Sequence, residues 1–565
     1  MAELTFTDLA AFALYFVVLV SMGFYVSRRR AATSEEYFLA GRKLPWYVVG
    51  SSFIGSNIST EHFIGMIGAA YIYGVCVAQW EWGNIWTFST LIWVFIPFLL
   101  ASRVFTAPEF LERRFNPACR LLFAIMTVVA NVTAFLAAVL YAGAAGLQAL
   151  FGWDIWFGVL IIGVVAGSYA IFGGLRSVAW TDVFQTSIMV LGGVLVTVLG
   201  LRALGAGDGL LAGWHTMMER NLGHGEAWSA GISRLAPQVL GEGATSYQRL
   251  SIFQPVSHAI LPWVTVPVGW LSVGIWYNCI NQFMVQRVLA ARDAWHARMG
   301  IVFAGFLKIV LPMLIVVPGL IYFARDPSLD QHGADRGYPA LLMSLVPVGL
   351  RGVLLAALFG AIQSTVDSVL NSTSTIITLD IYKRWFRPDL SERRSVAMGR
   401  LVGTIVLAVS IAIAPFIERL GQGVFVYIQN LYAYFAPPFS AIFVVGILWR
   451  RATARAAVLT IPAGMVFSLF LEYVVFGRWI PGVTAFTLRA LFSWVFCVLV
   501  MVLVSRNTPP PRPESVTDAL TVNWSRLNIF GTLGHPWYRN LAFWWGVFAV
   551  GIVACYLAFS GLFLR

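Results

Sequence analysis

The sequence predicts an all-α polytopic membrane protein, and three observations support this class. Of its 565 residues, 59% are hydrophobic and only 11% are charged, whereas soluble proteins carry about 25% charged residues. Apolar runs of about 20 residues, the length of a helix that crosses a bilayer, recur along the whole chain. Basic residues cluster in short loops between these runs, as in membrane proteins.

Fourteen apolar runs meet the length criterion, and each is predicted to be a helix. Their approximate limits are 6–27, 46–74, 79–101, 118–150, 155–171, 179–203, 258–283, 297–323, 338–373, 396–417, 422–449, 453–476, 485–505 and 540–563. The first run precedes Arg28–Arg30. That polarity is the reverse of a cleavable signal peptide, so this run is predicted to be a retained span.

The basic loops predict the orientation in the membrane. One set of alternate loops carries 26 of the 38 lysines and arginines, including Arg103, Arg287 and Arg384. The positive-inside rule places this set in the cytoplasm, so both termini of a multi-pass protein of the cell (inner) membrane are predicted to face outside. The net charge is +12, and the basic residues cluster in short loops between the apolar spans. We therefore expect a lipid bilayer rather than a nucleic acid as partner. No obligate protein partner is evident.

Two longer segments lie outside the spans. Gly205–Ser257 is rich in glycine and predicts an extracellular cap, and Arg506–Trp537 begins with three prolines and predicts a cytoplasmic linker. The linker is too short for a signalling domain and no filter-like repeat occurs, so a sensor or a channel is a remote alternative. The chain lacks HExxH, GxSxG and DxD-type motifs, and we do not expect an enzyme.

The stretch Ser51–Gly74 is the most informative part of the chain. Its apolar sequence is interrupted by small, polar and ionisable residues: Gly55, Ser56, Asn57, Ser59, Thr60, Glu61 and His62. Irregular backbone within a membrane is tolerated where it lines a cavity, and ionisable residues there usually form a site. The stretch therefore predicts a broken helix that holds a cation and a solute. Close helix packing, the alternative, explains the small residues but not Glu61 beside His62.

The other ionisable residues within spans include Glu81, Lys308, Asp182 and Asp367. Glu81 lies between Trp80 and Trp82, a combination that suits a polyhydroxylated ring. The alternative for Glu81 is an exposed position in an interfacial tryptophan belt. Lys308 has apolar neighbours on both sides and should pair with a carboxylate or with solute oxygens. Its alternative is a purely structural ion pair with Glu61 or Glu81.

The ninth span carries Ser364, Thr365, Asp367 and Ser368. Helical spacing places Ser364, Asp367 and Ser368 on one side of the helix. Hydroxyl oxygens, together with free carbonyls of a broken helix, suit a hard monovalent cation. Alternatively, such hydroxyls bond only to the preceding helical turn.

In this pattern of residues the chain resembles the sodium/solute symporter family, which includes the bacterial sodium/galactose symporter and the animal sodium/glucose cotransporters. The matching stretches are Ser51–Gly68, Trp80–Trp82, TAPEFLERRF at 106–115, GGLRSVAWTD at 173–182, NQFMVQRVLAA at 281–291, Lys308, LNSTSTIITLDIYK at 370–383 and Tyr427–Gln429. They occur in the family's order and cover most of the chain.

The resemblance implies a core of two inverted five-helix repeats, formed by spans two to six and seven to eleven. The implied division is an extra helix and loop at 1–45, a first repeat at 46–203, the extracellular loop at 204–257, a second repeat at 258–450 and extra helices at 451–565, with the proline-rich linker 506–537. The implied activity is sodium-coupled symport of a hexose-like sugar, with Na⁺ as the coupling ion.

The resemblance also implies functional residues. The implied sodium ligands are the backbone oxygens of Gly55, Ile58 and Ala361 and the hydroxyls of Ser364 and Thr365. The implied solute ligands are Glu61, His62, Glu81, Asn84, Asn131, Lys308 and Gln429. The implied gates are Tyr277 on the inner side and Met66, Trp80 and Phe425 on the outer side.

The chain departs from the sodium/galactose symporter at four positions of this site. His62 replaces a glutamine, Trp80 a tyrosine, Asn84 a serine and Gly274 a sugar-binding asparagine. Because Glu81, Lys308 and Gln429 remain, a sugar is still favoured, and a polyol, a carboxylate and an amino acid are the alternatives.

Asp367 is a fifth departure. Some relatives bind a second sodium at an aspartate that matches Asp182, with serines that match Asp367 and Ser368. We hypothesise a second site, for a cation or a proton, formed by Asp182, Ser364, Asp367 and Ser368, because two close carboxylates favour uptake of a positive charge. The alternative is that Asp367 pairs with a cytoplasmic arginine such as Arg176.

Overall fold

The computed structural model describes residues 4–28, 31–58, 61–265, 270–330, 333–334, 337–420, 424–479, 486–523 and 535–560. These ranges contain helices and no β-strand, which agrees with the predicted all-α class. One isolated bridge joins Leu44 and Ala291.

The α-helices of the first half include pieces of the predicted spans and short connecting helices. They are α1 Phe6–Ser27, α2 Ser34–Leu39, α3 Trp46–Asn57, α4 Ile67–Tyr73, α5 Gln79–Trp82, α6 Asn84–Thr90, α7 Ile96–Ala101, α8 Ala107–Arg114, α9 Pro117–Ala130, α10 Ala137–Phe151, α11 Ile155–Leu204, α12 Gly209–Asn221 and α13 Glu226–Leu240. Wider π-helical turns occupy Glu61–Met66, Leu91–Phe95 and Asn131–Leu136, and tighter 3₁₀ turns occupy Ala40–Arg42 and Gly74–Ala78.

Nine further α-helices are delimited within the described ranges of the second half. They are α14 Gln282–Leu289, α15 Ala294–Arg325, α16 Gly337–Leu345, α17 Leu350–Thr375, α18 Glu392–Ile413, α19 Val424–Leu448, α20 Ala454–Phe470, α21 Phe486–Arg506 and α22 Leu541–Ala558. The π-helical segments are Trp270–Gly274, Trp276–Ile280, Ile376–Phe386 and Leu471–Trp479, and the 3₁₀ segments are Trp263–Thr265, Ala414–Leu420, Pro513–Ser515 and Trp537–Arg539.

Eleven helices within the described ranges are long and apolar enough to cross a membrane, against the fourteen predicted spans. The predicted second and seventh spans are interrupted, at Ile58 and at Asn281, so no single helix covers either of them. The predicted fifth and sixth spans are joined in α11 across a kink at Gly174, whose φ is +61°. The fourteen-span count therefore stays a prediction.

Two predicted boundaries are wrong. The seventh span was expected from residue 258, but residues 258–262 are not helical. The expected ninth span, 338–373, consists of two helices, α16 and α17, separated at Gly349, whose φ of +88° is incompatible with a right-handed helix.

Hydrogen bonds join loops that are far apart in the sequence. At the predicted cytoplasmic end, the Leu44 N–H donates to the Ala290 carbonyl at 3.0 Å. At the other end, the Ile252 N–H donates to the Phe559 carbonyl at 2.8 Å.

Close helix packing positions the broken stretch. The backbones of α3 and α15 touch where Gly50 faces Gly300: a Cβ at Gly50 would lie 2.4 Å from the Gly300 carbonyl oxygen. Small residues permit such an approach inside a membrane. This contact holds α3 beside the helix that carries Lys308.

The segment predicted to form an extracellular cap holds the other half of the broken stretch. Arg249 is buried in the cap and donates to the carbonyls of Tyr71 at 2.7 Å and Ile72 at 3.0 Å, in the last turn of α4. A cation at a helix C-terminus is stabilising there. Gly74 follows with φ +80°, and a Cβ at this position would lie 2.1 Å from the Arg249 carbonyl oxygen.

Candidate functional site

The predicted break in the second span is present. Helix α3 ends at Asn57, and Ile58 is extended with φ −83° and ψ 119°. Helical structure is described again from Glu61. The carbonyls in the last turn of a helix have no partner within it, so the end of α3 offers backbone oxygens at the depth of the site.

A buried charged cluster lies beside this break. Lys308 and Glu81 are 1% and 2% exposed, and the Lys308 Nζ lies 2.6 Å from the Glu81 Oε2. Lys308 also donates to the Asn57 Oδ1, and the His62 Nε2 lies 3.3 Å from the Glu81 Oε1. The exposed position considered for Glu81 is therefore wrong, and Lys308 makes the ion pair with Glu81 that was one of its alternatives.

The cluster forms part of the wall of a cavity of about 920 Å³. The residues that line it are Asn57, His62, Met66, Trp80, Glu81, Asn84, Leu261, Val273, Gly274, Tyr277, Asn278, Lys308, Gln429, Tyr432, Phe486 and Thr487.

Most of the expected solute ligands and gates meet in this wall. These are His62, Glu81, Asn84, Lys308, Gln429, Met66, Trp80 and Tyr277. Asn131 is not among the lining residues; its Nδ2 donates to the Thr373 Oγ1 at 2.9 Å. The side chains of Glu61 and Phe425 lie outside what the structure describes.

The side-chain amide of Asn84 is already engaged in hydrogen bonds to other protein groups. Its Nδ2 donates to the carbonyls of Trp80 at 2.6 Å and Glu81 at 3.3 Å. Its Oδ1 accepts from the Nδ2 of Asn278 at 2.8 Å. Asn278 was not predicted, although it lies one helical turn beyond Gly274, where the family's sugar-binding asparagine is missing. Asn84 and Asn278 thus form a fixed polar pair in the wall.

Helix α21 also contributes to the cavity, which the sequence did not indicate. Phe486 and Thr487 belong to the expected C-terminal extra helices, yet both line the cavity. The Thr487 hydroxyl is buried and has no hydrogen-bond partner within the described ranges. Arg489, two residues further along, fixes this end of α21 through an ion pair with Glu472 at 2.7 Å and a hydrogen bond to the Asn430 Oδ1 at 3.1 Å.

Aromatic rings surround Tyr277 on the cavity floor. The ring of Tyr277 lies 5.6 Å from Phe283, 5.8 Å from Tyr432 and 6.4 Å from Phe135, measured between centroids. Flat aromatic faces pack well against the C–H surface of a ring-shaped solute.

The expected sodium ligands lie where α3 meets α17. A Cβ at Gly55 would lie 3.2 Å from the Ser364 Oγ, so these two residues are in contact. Ala361 and Thr365 are one turn apart on α17, and the Thr365 hydroxyl donates to the Ala361 carbonyl at 3.2 Å. Ile58 occupies the extended end of α3. Several neutral oxygens therefore share one buried region.

A second buried cluster adjoins this region and contains an unexpected cation. The Asp182 carboxylate accepts from Ser52 at 2.5 Å and from Ser364. Arg287, expected in a cytoplasmic loop, is instead completely buried. Its Nη2 lies 3.5 Å from the Asp182 Oδ2 and also donates to the Ser368 Oγ. The expectation for Arg287 is wrong because a buried carboxylate supplies its counter-charge.

Asp367 lies at the other side of Ser368. Its Oδ2 accepts from the Tyr169 hydroxyl at 2.6 Å, and the Ser368 Oγ lies 3.4 Å from its Oδ1. The Ser56 and Ser368 hydroxyls are 2.8 Å apart. Arg176 is exposed and makes no recorded contact with Asp367, so the alternative pairing of these two residues is not found among the described residues.

An ion-pair network at the predicted cytoplasmic end was also missed. Asp380 is completely buried and lies 2.7 Å from an Nη2 of Arg120. Arg120 pairs with Glu112 at 2.6 Å, and Arg384 pairs with the same carboxylate at 2.7 Å. Partial burial raises the pKa of Glu112, but the hydrogen bonds from Arg384 and Arg120 outweigh it and lower that pKa. The network ties α8 and α9 to the segment Ile376–Phe386.

Comparison with known proteins places these features in a family. A model described as the sodium:solute symporter family matches residues 37–464. The chain is 34% identical over 545 residues to the sodium/glucose cotransporter of Vibrio parahaemolyticus, covering 93% of this chain and 96% of that one. It is 32% identical over 560 residues to the human sodium/myo-inositol cotransporter, covering 94% of this chain and 77% of that one.

A solved structure shares the fold. A Na⁺-coupled sialic acid symporter in a substrate-bound, outward-open state superposes with a TM-score of 0.71 at 21% identity, covering 90% of this chain and 99% of that chain.

Proposed function

Because this chain belongs to the sodium:solute symporter family, we propose that it is a secondary active transporter that couples the entry of sodium to that of a hexose-like sugar. The relatives named for glucose and myo-inositol support a cargo that is a hydroxylated ring. A polyol, the alternative cargo, carries the same kind of hydroxyl groups.

The observation that carries the proposal is the buried Lys308–Glu81 pair in the cavity wall. Its ammonium and carboxylate offer both donors and acceptors to solute hydroxyls, and His62 and Gln429 line the same cavity. The aromatic rings of Trp80, as outer gate, and Tyr277, as inner gate, cover the C–H faces of the ring. Glu61, Asn84, Asn131, Met66 and Phe425 keep the roles that the resemblance implies.

An anionic cargo is less well matched. Lys308 is the only lysine or arginine among the described residues that line the cavity, and Glu81 neutralises it at 2.6 Å. A carboxylate solute would have to compete with that bond in a site where unpaired charges are costly.

We assign sodium to the region between α3 and α17. The backbone oxygens of Gly55, Ile58 and Ala361 and the hydroxyls of Ser364 and Thr365 would bind it. Thr365 and Ser364 donate their protons elsewhere, to the Ala361 carbonyl and to Asp182. Their lone pairs therefore remain available to a hard cation.

We assign a second cation or a proton to Asp182, Ser364, Asp367 and Ser368. Two carboxylates and the guanidinium of Arg287 leave this buried cluster with one unbalanced negative charge when both carboxylates are ionised. Buried charges are normally compensated, so the cluster is suited to one further positive charge.

Transport would proceed by alternating access between two inverted five-helix repeats, spans two to six and seven to eleven of fourteen. Sodium bound between α3 and α17 favours the outward-open state, the solute enters, and the outer aromatic residues close over it. Sodium leaves first, because its concentration in the cytoplasm is low, and the solute follows after Tyr277 moves. The loops rich in arginine are cytoplasmic and both termini face outside a cell membrane.

The test is sodium-dependent uptake by the purified protein in proteoliposomes, with a panel of hexoses, polyols, amino acids and organic acids. One sodium driven by about 100 mV and a tenfold gradient supplies about 2.3 and 1.4 kcal/mol, enough for roughly several hundredfold accumulation of a neutral solute. We expect hexose uptake in sodium and none in potassium. Uptake of only an amino or organic acid would contradict the sugar assignment, and sodium-independent uptake would contradict symport.

A further inference from the structure

A second cavity, of about 910 Å³, lies at the predicted cytoplasmic end. It is formed where the first turn of α15 faces the segment that leads into α22. Its lining residues are Asp293, Ala294, Trp295, His296, Arg298, His535, Arg539 and Leu541. The Trp295 Nε1 donates to the Arg539 carbonyl at 2.9 Å, so the two walls are joined directly.

The cavity has an excess of positive charge. The guanidinium groups of Arg298 and Arg539 have no hydrogen bond or ion pair among the described residues, and the Arg298 Nε is buried. The Arg298 guanidinium carbon lies 5.9 Å from the centroid of the Trp93 ring. Partly buried charges are usually paired, so the partly buried guanidinium of Arg298 indicates a missing anion, and the exposed Arg539 in the same lining adds a second positive charge.

The carboxylate in this cavity's described wall does not supply that anion. Asp293 caps α15 by accepting from the His296 N–H at 2.9 Å, and it also contacts the His296 Nδ1 at 3.0 Å. Partial burial raises the pKa of Asp293, but these contacts outweigh it and lower that pKa. Asp293 is thus a charged group that is already engaged by the helix end and by His296.

The surroundings indicate a lipid rather than a soluble anion. Trp537 and Tyr538, just before α22, are 63% and 54% exposed, as expected for aromatic residues at the level of lipid headgroups. Helix α22 is an apolar span that packs on α15, with the rings of Phe306 and Trp544 6.1 Å apart. Basic pockets between membrane helices on the cytoplasmic side bind anionic headgroups.

We propose that this cavity binds the phosphate of an anionic phospholipid through Arg298 and Arg539, with the acyl chains lying along α15 and α22. Lys308 is ten residues beyond Arg298 on α15, about 15 Å along the helix at 1.5 Å per residue. A lipid held here would clamp α22 to the helix that carries Lys308. The proposal is independent of the identity of the transported solute.

The test is the apparent unfolding temperature of the full-length protein in a neutral detergent, with phosphatidylglycerol, phosphatidylcholine or inorganic phosphate added. We expect phosphatidylglycerol to raise it by several degrees and phosphatidylcholine to leave it unchanged. An equal rise with inorganic phosphate would overturn the lipid assignment, and an equal rise with phosphatidylcholine would overturn the anion site.

Two variants locate the effect. Arg539→Gln removes an exposed cavity arginine and should fold normally, yet it should lose most of the shift caused by phosphatidylglycerol. Arg292→Gln is the matched control, because Arg292 is exposed on the same loop as Asp293 and does not line the cavity. Native mass spectrometry should show fewer retained phosphatidylglycerol molecules on Arg539→Gln than on Arg292→Gln. Equal retention and equal shifts would overturn the proposal.

Discussion

Replacement of Lys308 by methionine tests whether the buried ion pair serves transport or only stability. The Lys308 Nζ lies 2.6 Å from Glu81, and both side chains are at most 2% exposed. With an effective dielectric constant of about 20, the attraction between unit charges at this distance is about 6 kcal/mol. The substitution also removes the cost of desolvating the Lys308 ammonium group, which offsets part of this lost attraction. Loss of one partner of a buried pair typically costs about 3–5 kcal/mol, which we expect for Lys308→Met.

The double variant Lys308→Met/Glu81→Gln separates the two roles. It removes both charges, so it should recover most of the lost stability. If Lys308 and Glu81 contact the solute, the double variant should fold and still fail to transport. The assays are the apparent unfolding temperature in detergent and sodium-dependent uptake in proteoliposomes.

The same substitution at an exposed ion pair is the control. Lys383 lies 3.5 Å from Glu392, and these side chains are 29% and 52% exposed. Lys383→Met should cost less than about 1 kcal/mol and leave uptake intact. Uptake at the wild-type rate by the double variant would refute the solute-binding role, and wild-type stability of Lys308→Met would refute the electrostatic reasoning.

Four further changes have defined outcomes. Thr487→Val should raise the solute KM about five- to tenfold by removing a hydroxyl worth about 1 kcal/mol, whereas Thr487→Ser should not; equal KM values for both would contradict a solute contact. Asp367→Ser should alter the sodium stoichiometry and the pH profile of uptake, and unchanged values for both would exclude the second site. Burial lowers the pKa of His258 to about 4. In the unfolded chain the pKa of this histidine is near 6.5, so on acidification the unfolded state takes up the proton at a higher pH than the folded state does. The free energy of unfolding should therefore fall by about 3 kcal/mol as the pH drops from about 6.5 to about 4. A His258→Gln variant with the same acid sensitivity would contradict this. Gly74→Ala should lower the unfolding temperature, because a Cβ would lie 2.1 Å from the Arg249 carbonyl oxygen. An unchanged temperature would contradict this and show that the Arg249 backbone moves aside at no cost.

The all-α class, the break near Gly55 and the pairing of Lys308 were predictable from local sequence. The class follows from the apolar runs, whereas the break and Lys308 depend on residue types that are costly in a bilayer and therefore indicate a site. The break at Asn281 was not predictable, because the polar residues around it, such as Asn278 and Gln282, are compatible with a helix and no glycine or proline adjoins them. The backbone there is extended, with φ −60° and ψ 129°.

The buried arginine and the polar pair in the cavity wall depend on tertiary contacts. Arg287 stands near other basic residues in the sequence, which predicts a loop, and only the fold brings it to Asp182. Asn278 likewise becomes informative only when it is seen to bond Asn84, 194 residues away. Charge patterns predict which end of the molecule a loop belongs to, but they do not identify which charged side chains are buried.

Consecutive residues at the end of α3 connect the two sites. Asn57 accepts a hydrogen bond from Lys308 in the cavity wall, while the Ser56 hydroxyl lies 2.8 Å from that of Ser368 on α17. Helix α3 ends at Asn57 and the backbone is extended at Ile58, while Arg249 holds α4 on the cap. A cation that draws the end of α3 toward α17 would therefore move Asn57 relative to Lys308. Coupling between ion and solute then needs no long pathway, because adjacent residues at the end of one helix contact the two proposed sites.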